Sequence, residues 1–141
     1  MFAAIPLLAL PVLAYNLYVL TLPGMFSSVS ANASLAIPLF SFKTAAGVPW
    51  AVSLADVLLA ASLVVLFIEL LRSTTSHRVA IINHAFSMLL FVACLVELLL
   101  LPAFANSTFF LITLMVLLDV LAGFIVTIVA ARRDVDFVDD R

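Results

Sequence analysis

The sequence predicts an all-α integral membrane protein, a four-helix bundle with both termini in the cytoplasm. Of its 141 residues, 67% are hydrophobic and 10% are charged, against about 45–50% apolar and about 25% charged residues in an average soluble domain. A chain of this length has too little interior to hide so much apolar surface from water. Four apolar stretches, each near the roughly 20 residues that a helix needs to cross a bilayer, form a single transmembrane domain.

The first predicted helix covers residues 2–22 and is stopped by Pro23. Pro6 lies where the first turn is expected, and a proline is tolerated there, whereas Pro11 is expected to kink the helix. No basic segment precedes this stretch, and the stretch is longer than the apolar core of a signal peptide. We therefore expect a retained helix rather than a cleaved leader.

The second helix is predicted over residues 49–71. Pro49 suits a first helical position, and Trp50 is placed like an anchor at the membrane interface. The segment before it, 23–48, forms a long outer loop. Within that loop, residues 35–42 have the composition of a short strand-like or interfacial segment, and we expect the loop to lie as an ordered cap on the bundle, with ligand gating as the alternative.

The third helix is predicted over residues 79–101, where Pro102 ends it. The fourth is predicted over residues 108–131, with Asn106 or Ser107 as its N-cap. The charged residues 132–141 that follow are expected to form a solvated tail, with docking to a partner as the alternative.

The basic residues set the orientation of the bundle. Five of the six lie in the 72–78 loop or after the fourth helix, namely Arg72, Arg78, Arg132, Arg133 and Arg141. Only Lys43 lies in the outer loop. Because basic residues are retained on the cytoplasmic side of a membrane, this loop and the C-terminal tail are predicted to be cytoplasmic, and an even number of helices puts the N-terminus there too. We expect a multi-pass protein of a bacterial inner membrane.

Four acidic residues fall inside the predicted helices: Asp56, Glu69, Glu97 and Asp119. No lysine or arginine lies deep in any helix to pair with them. An acid at the centre of a spanning helix costs about 2.5–3.5 kcal/mol on insertion scales. Each of these groups must therefore be neutral, hydrogen-bonded or in contact with water, and each is a candidate intramembrane polar or proton site. Internal stabilisation of the bundle is the competing interpretation.

Helical geometry predicts which of these groups meet. At about 100° per residue, the side chains of Asn83, Ser87, Cys94 and Glu97 share one face of the third helix. Asp119 lies near the middle of the fourth helix, and we expect it to meet this polar stripe or Asn16 of the first helix.

A second contact is predicted from the short 72–78 loop, which should make the second and third helices antiparallel neighbours. Asp56 and Glu97 then lie at similar depth in the outer half, and Glu69 and His84 at similar depth in the inner half. We expect Glu69 to pair directly with His84, with Asn83 nearby.

The motifs exclude most chemistry. His77 and His84 are too close in sequence to clamp a haem from both faces, Cys94 is the only cysteine, and no Gly-rich phosphate loop, zinc spacing or nucleophile motif occurs. We expect no catalytic, cofactor-binding or metal-binding residues and no cofactor. There is no basic patch for nucleic acid, so the expected partners are membrane lipid and other membrane subunits or the chain itself.

In size and topology, the four apolar spans, the Arg72/Arg78 loop and the Arg132-Arg133 pair together resemble the small four-helix proteins of bacterial inner membranes. This resemblance transfers no functional residue. The first functional hypothesis is a non-catalytic accessory or scaffolding subunit of a larger membrane complex, such as a respiratory or photosynthetic one.

Two alternatives remain open. One is a small proton- or cation-coupled transporter or channel that acts as a homo-oligomer, with Asp119 carrying the proton. The other is a lipid- or quinone-binding protein, in which Tyr15, Asn16 and Tyr18 line a groove.

Overall fold

The structure is a computed structural model that describes residues 5–23, 26–73 and 77–139, and it excludes the side chains of 73, 77–81, 127 and 129–139. The described chain is helical apart from one β-hairpin. In chain order its elements are α1 (Ala9–Thr21), α2 (Ser28–Leu35), β1 (Pro38–Lys43), β2 (Pro49–Ser53), α3 (Leu54–Ser73), α4 (His77–Leu100), a 3₁₀ turn (Pro102–Phe104) and α5 (Ser107–Asp139).

Three helices are long and apolar enough to cross a membrane, and their qualifying segments are Leu54–Arg72, Ile82–Leu100 and Ser107–Val126. The helical class is confirmed, and by length and composition these three helices are consistent with a membrane protein. The predicted count of four spans is only partly matched, because α1 has 13 residues and measures about 20 Å, less than the roughly 30 Å of a hydrocarbon core. The described residues contain five α-helices and a two-stranded sheet rather than four helices alone.

The predicted first helix, 2–22, is helical only from Ala9 onward, and residues 2–4 lie outside the described residues. Pro6 belongs to the turn before the helix, where its carbonyl accepts a hydrogen bond from the N–H of Ala9 at 3.1 Å. Pro11 is the third residue of α1, so the predicted interior kink is wrong. Its missing N–H falls in the first turn, where helical N–H groups have no intrahelical acceptor in any case.

The predicted second helix also begins later than expected. Pro49 is not its first residue but the first residue of β2, and α3 starts at Leu54. A reciprocal cap sets this start: Asp56 Oδ2 accepts from the backbone N–H of Ser53 at 2.8 Å, and Ser53 Oγ accepts from the backbone N–H of Asp56 at 3.3 Å. This is the capping-box arrangement that satisfies free N–H groups at a helix start.

The hairpin lies inside the predicted outer loop and the start of the predicted second helix. β1 and β2 pair antiparallel, with Phe42 opposite Trp50. Gly47 has φ +77° in the connecting turn, and its N–H donates to the carbonyl of Thr44 at 2.8 Å. A residue in this left-handed conformation closes such turns, and glycine adopts it without a steric cost. The predicted strand-like segment, 35–42, thus overlaps β1.

The last helix is longer than predicted. α5 has 33 residues and continues to Asp139, so the expected tail 132–141 is helical over its described backbone, and residues 140–141 lie outside the description. The arginine pair ends the apolar segment without ending the helix, because arginine is a good helix former. The N-cap prediction is confirmed, since Asn106 Oδ1 accepts from the N–H of Phe109 at 3.0 Å.

The packing places α5 at the centre of the bundle. Its larger interfaces are with α4 and with α3, whereas α3 and α4, which were predicted to be antiparallel neighbours, share no comparable interface among the described residues. A short loop keeps two helix ends close, but it does not prevent a later helix from lying between them. At the outer end, α2 packs on the 3₁₀ turn through the buried side chains of Ala31 and Leu35.

Candidate intramembrane polar site

The polar stripe predicted on α4 faces three other helices. Asn83 contacts Glu69 of α3, Ser87 contacts Asp119 of α5, and Glu97 contacts Asn16 of α1. Cys94 lies within the same stripe and is fully buried. A single helix face therefore provides one polar contact to each of its neighbours.

Glu69 connects three parts of the bundle near the end of α3. Its carboxyl is 1% exposed, Oε1 accepts from Asn83 Nδ2 at 2.5 Å, and Oε2 accepts from the backbone N–H of Leu7 at 2.6 Å. Leu7 lies in the turn before α1, where backbone N–H groups lack helical acceptors. One carboxyl therefore connects α3, α4 and the start of α1.

The predicted pair of Glu69 and His84 is not what the structure shows. The hydrogen bonds to the Glu69 carboxyl come from Asn83 and Leu7, while Nδ1 of His84 is buried and has no hydrogen-bond partner. Consecutive helical residues are rotated by about 100°. The rotation of α4 places Asn83 toward α3 and turns His84 toward α5.

The side chain of His84, on α4, packs against α5 at the position of Gly123. A Cβ added at Gly123 would lie 2.5 Å from His84 Nδ1, and the imidazole ring is 6.1 Å from the ring of Phe124. Asn83 Oδ1 is also buried without a partner. An unsatisfied buried polar atom costs about 1–3 kcal/mol, and these two atoms belong to consecutive residues of α4.

Asp119 meets the α4 stripe as predicted. It is 5% exposed, and its Oδ2 accepts from Ser87 Oγ at 2.6 Å. Glu69 and His84 both lie near enough to interact electrostatically with its carboxyl. We call the set of Glu69, Asn83, His84, Ser87 and Asp119 the inner polar cluster.

Glu97 is separate from this cluster and lies near the end of α4, close to the 3₁₀ turn. Its Oε2 accepts from Asn16 Nδ2 at 3.2 Å, and the same amide nitrogen donates to the carbonyl of Val12 at 3.1 Å. This contact fixes α1 against α4.

Asp56, predicted as an intramembrane polar site, lies in the first turn of α3. It is exposed, and its carboxyl is taken up by the Ser53 cap at the outer end of α3. The sequence signal for this role was the Ser-x-x-Asp spacing before an apolar run, which predicts a capping box.

The three residues predicted to line a lipid or quinone groove make separate contacts and do not form one lining. Tyr15 is fully buried between Phe104 and Phe109, and its hydroxyl donates to the carbonyl of Ala103 at 3.1 Å and accepts from Asn106 at 2.6 Å. Asn16 binds Glu97, and Tyr18 is half-buried at the edge of the core. Tyr15 is thus a core residue that fixes α1 to the outer turn, a role that the sequence reasoning missed.

One surface groove with a defined lining is apolar. A groove of about 410 Å³ runs along α3, lined by Leu63, Val64, Leu66, Phe67 and Leu70. Among the described side chains, no three histidine, cysteine or acidic groups are arranged to hold a metal ion.

The fold and the polar contacts together define a class: a small helical protein with three apolar helices of spanning length, joined by buried side-chain hydrogen bonds. The chain matches no known protein family, no curated protein and no solved structure at a significant level.

Proposed function

We propose that the protein is a non-catalytic accessory or scaffolding subunit of a larger membrane assembly. The observation that supports this most directly is that three acidic side chains accept hydrogen bonds between helices. Glu69, Glu97 and Asp119 each accept a hydrogen bond from a neutral side chain on another helix. Their hydrogen-bonding capacity goes into holding the bundle, as expected for interhelical polar contacts in membranes.

The outer surface of the helices offers apolar packing for a partner. The groove along α3 includes Phe67, which is 62% exposed. Helix association in lipid is driven by van der Waals fit, and a groove of this shape is where we expect a partner helix to lie.

The finer topology is part of this proposal: four crossings, both termini in the cytoplasm, and a bacterial inner membrane. α1 is short, but its contacts extend along most of the bundle. The N–H of Leu7 binds Glu69 four residues before the end of α3, and Tyr15 binds the carbonyl of Ala103 in the turn between α4 and α5. These two contacts support α1 as a fourth, shorter crossing.

Site-specific photocrosslinking in native membranes tests the subunit proposal. A photoreactive phenylalanine analogue at Phe67 should give one defined adduct that comigrates with the chain in a native gel. The matched control is Phe110, an exposed phenylalanine on α5, which should not give this adduct. The proposal fails if the chain migrates alone, or only with itself, and neither position captures another membrane protein.

Cysteine labelling tests the topology separately. In a Cys94→Ser background, Ala45→Cys at the hairpin turn should react with an impermeant maleimide in intact cells, and Asp139→Cys only after lysis. An N-terminal tag should be protected in the same way as Asp139. Exposure of that tag in intact cells would show that α1 does not cross.

The inner polar cluster supports a second candidate, proton or cation coupling. The favouring observation is that His84 Nδ1 and Asn83 Oδ1 are buried without partners close to two carboxyls. Purified protein in vesicles should then carry a proton or cation flux that Asp119→Asn abolishes, while Asp56→Asn, at the exposed cap, leaves it intact. Equal flux in the two variants eliminates this candidate.

A further inference from the structure

The β-hairpin presents two chemically different faces. Residues directly opposite in an antiparallel pair share a face, and successive residues alternate. Phe40 pairs with Val52 and Phe42 with Trp50, so these four side chains lie on one face. Ser41 pairs with Ala51 and Lys43 with Pro49, which places the polar and cationic groups on the other.

The aromatic face is continuous and uncovered by the described chain. The Phe42 ring lies 5.2 Å from that of Trp50 and 6.5 Å from that of Phe40. The three residues are 46%, 55% and 54% exposed in the order Phe42, Trp50, Phe40. A two-stranded hairpin is marginally stable alone in water, so a stack of three exposed rings on one face implies a surface that covers it.

The hairpin is held at the level where the apolar part of α3 begins. β2 ends at Ser53 and α3 starts at the next residue, with no linker. The N–H of Leu54 donates to the carbonyl of Ile37 at 3.2 Å, which fixes the start of β1 at the same place. Both strands therefore leave from the point where the apolar segment of α3 begins.

The composition of the hairpin matches that level. Tryptophan is enriched at membrane–water interfaces, where its ring packs on the acyl boundary while its N–H stays hydrated. Lysine extends its apolar stem along the surface and presents its ammonium to phosphate. Lys43 is exposed and is the only lysine in the chain. A lipid headgroup layer can pair with both faces of such a hairpin, the rings with the acyl boundary and the ammonium with phosphate.

We propose that the β1–β2 hairpin is a lipid-interface anchor, whose aromatic face of Phe40, Phe42 and Trp50 lies in the headgroup layer of the outer leaflet while Lys43 contacts lipid phosphate. The proposal depends on the membrane span of α3 and is independent of any partner subunit. It assigns the segment between α2 and α3 to positioning the bundle against the bilayer.

Fluorescence of the full-length protein tests this, because Trp50 is its only tryptophan. The protein is reconstituted in phosphatidylcholine vesicles with iodide on both sides, or in vesicles containing phosphatidylcholine brominated either near the glycerol or near the chain end. We expect the shallow bromines to remove most of the emission, the deep bromines to remove less, and iodide to remove little. Strong quenching by iodide without bromolipid quenching overturns the proposal, as does quenching by neither, which would show that protein covers the ring.

Two neighbouring residues provide a matched pair of variants. Phe42→Ser removes a ring from the aromatic face and should lower the shallow-bromine quenching of Trp50, whereas Ser41→Ala on the opposite face should not. Both variants must keep the helical circular dichroism of the parent. Identical quenching in the two variants would contradict the assigned faces.

The role of Lys43 is tested by anionic lipid. A lysine near an anionic membrane surface contributes about 1 kcal/mol, which is about a five-fold change in the bound-to-free ratio. Adding phosphatidylglycerol should raise the ratio of lipid-accessible to iodide-accessible Trp50 by up to this factor in the parent and in Lys43→Arg, and should fail to do so in Lys43→Glu. An equal response in Lys43→Glu would remove the phosphate contact from the proposal.

Discussion

The hydrogen bond between Ser87 and Asp119 is the most sharply testable contact of the bundle. It joins α4 and α5 through two side chains that are 1% and 5% exposed, at 2.6 Å. Ser87→Ala removes the donor and leaves a buried carboxyl oxygen without it, which costs about 1–3 kcal/mol. The bond's own share is smaller, because interhelical hydrogen bonds in membranes average about 0.6 kcal/mol and reach about 1.7 kcal/mol.

A double-mutant cycle separates these two quantities. Ser87→Ala, Asp119→Ala and the double variant are unfolded by SDS in mixed micelles, and unfolding is followed by circular dichroism. We expect a coupling energy within the range of about 0.6–1.7 kcal/mol. Ser62→Ala on α3 is the control, since Ser62 is also fully buried but its hydroxyl donates to the carbonyl of Leu58 in its own helix. A coupling of zero between Ser87 and Asp119 would refute the assigned contact.

Three further predictions concern contacts elsewhere in the bundle. Gly123→Ala should destabilise by about 1–3 kcal/mol through overpacking, since the added methyl would lie 2.5 Å from His84 Nδ1; in a His84→Ala background the same SDS titration should show little loss. Tyr15→Phe should lower stability by about 1 kcal/mol, measured in the same way, because it removes a buried hydroxyl with two partners. Ser53→Ala should cost about 1 kcal/mol as a lost N-cap, and Asp56→Ala should add little on top of it, because the two residues act as one cap.

The contacts of the α4 stripe were predictable because a spanning helix buries its polar residues and 3.6 residues per turn fixes which of them share a face. The residue that donates a hydrogen bond to Glu69 could not be predicted in this way. Choosing between Asn83 and His84 requires the rotation of α4 about its axis, and neither the loop length nor the polar pattern determines it. The central position of α5 could not be predicted for a related reason. Loop length indicates which helix ends are close, but it does not determine which helix lies between the others.

The boundary between β2 and α3 is a helix start that hydropathy alone does not predict. Pro49–Ser53 contains no charged residue and runs directly into the helix that follows, so a window of about 20 residues merges strand and helix. The start of α3 could have been predicted from Ser53 and Asp56, because these two residues have the spacing of a capping box. Asp56 was assigned to the membrane interior by its position in an apolar run, although its sequence neighbours identified it as a cap.

The length of α5 has a consequence for where any cytoplasmic contact takes place. Its described backbone continues eight residues past Ala131, the last residue before the charged segment, which is about 12 Å of additional helix. In the proposed orientation the arginine pair lies at the headgroups of the inner leaflet, and the acidic residues follow it along the same helix. A contact with these acids is therefore made on a rigid continuation of α5 and not on an extended tail.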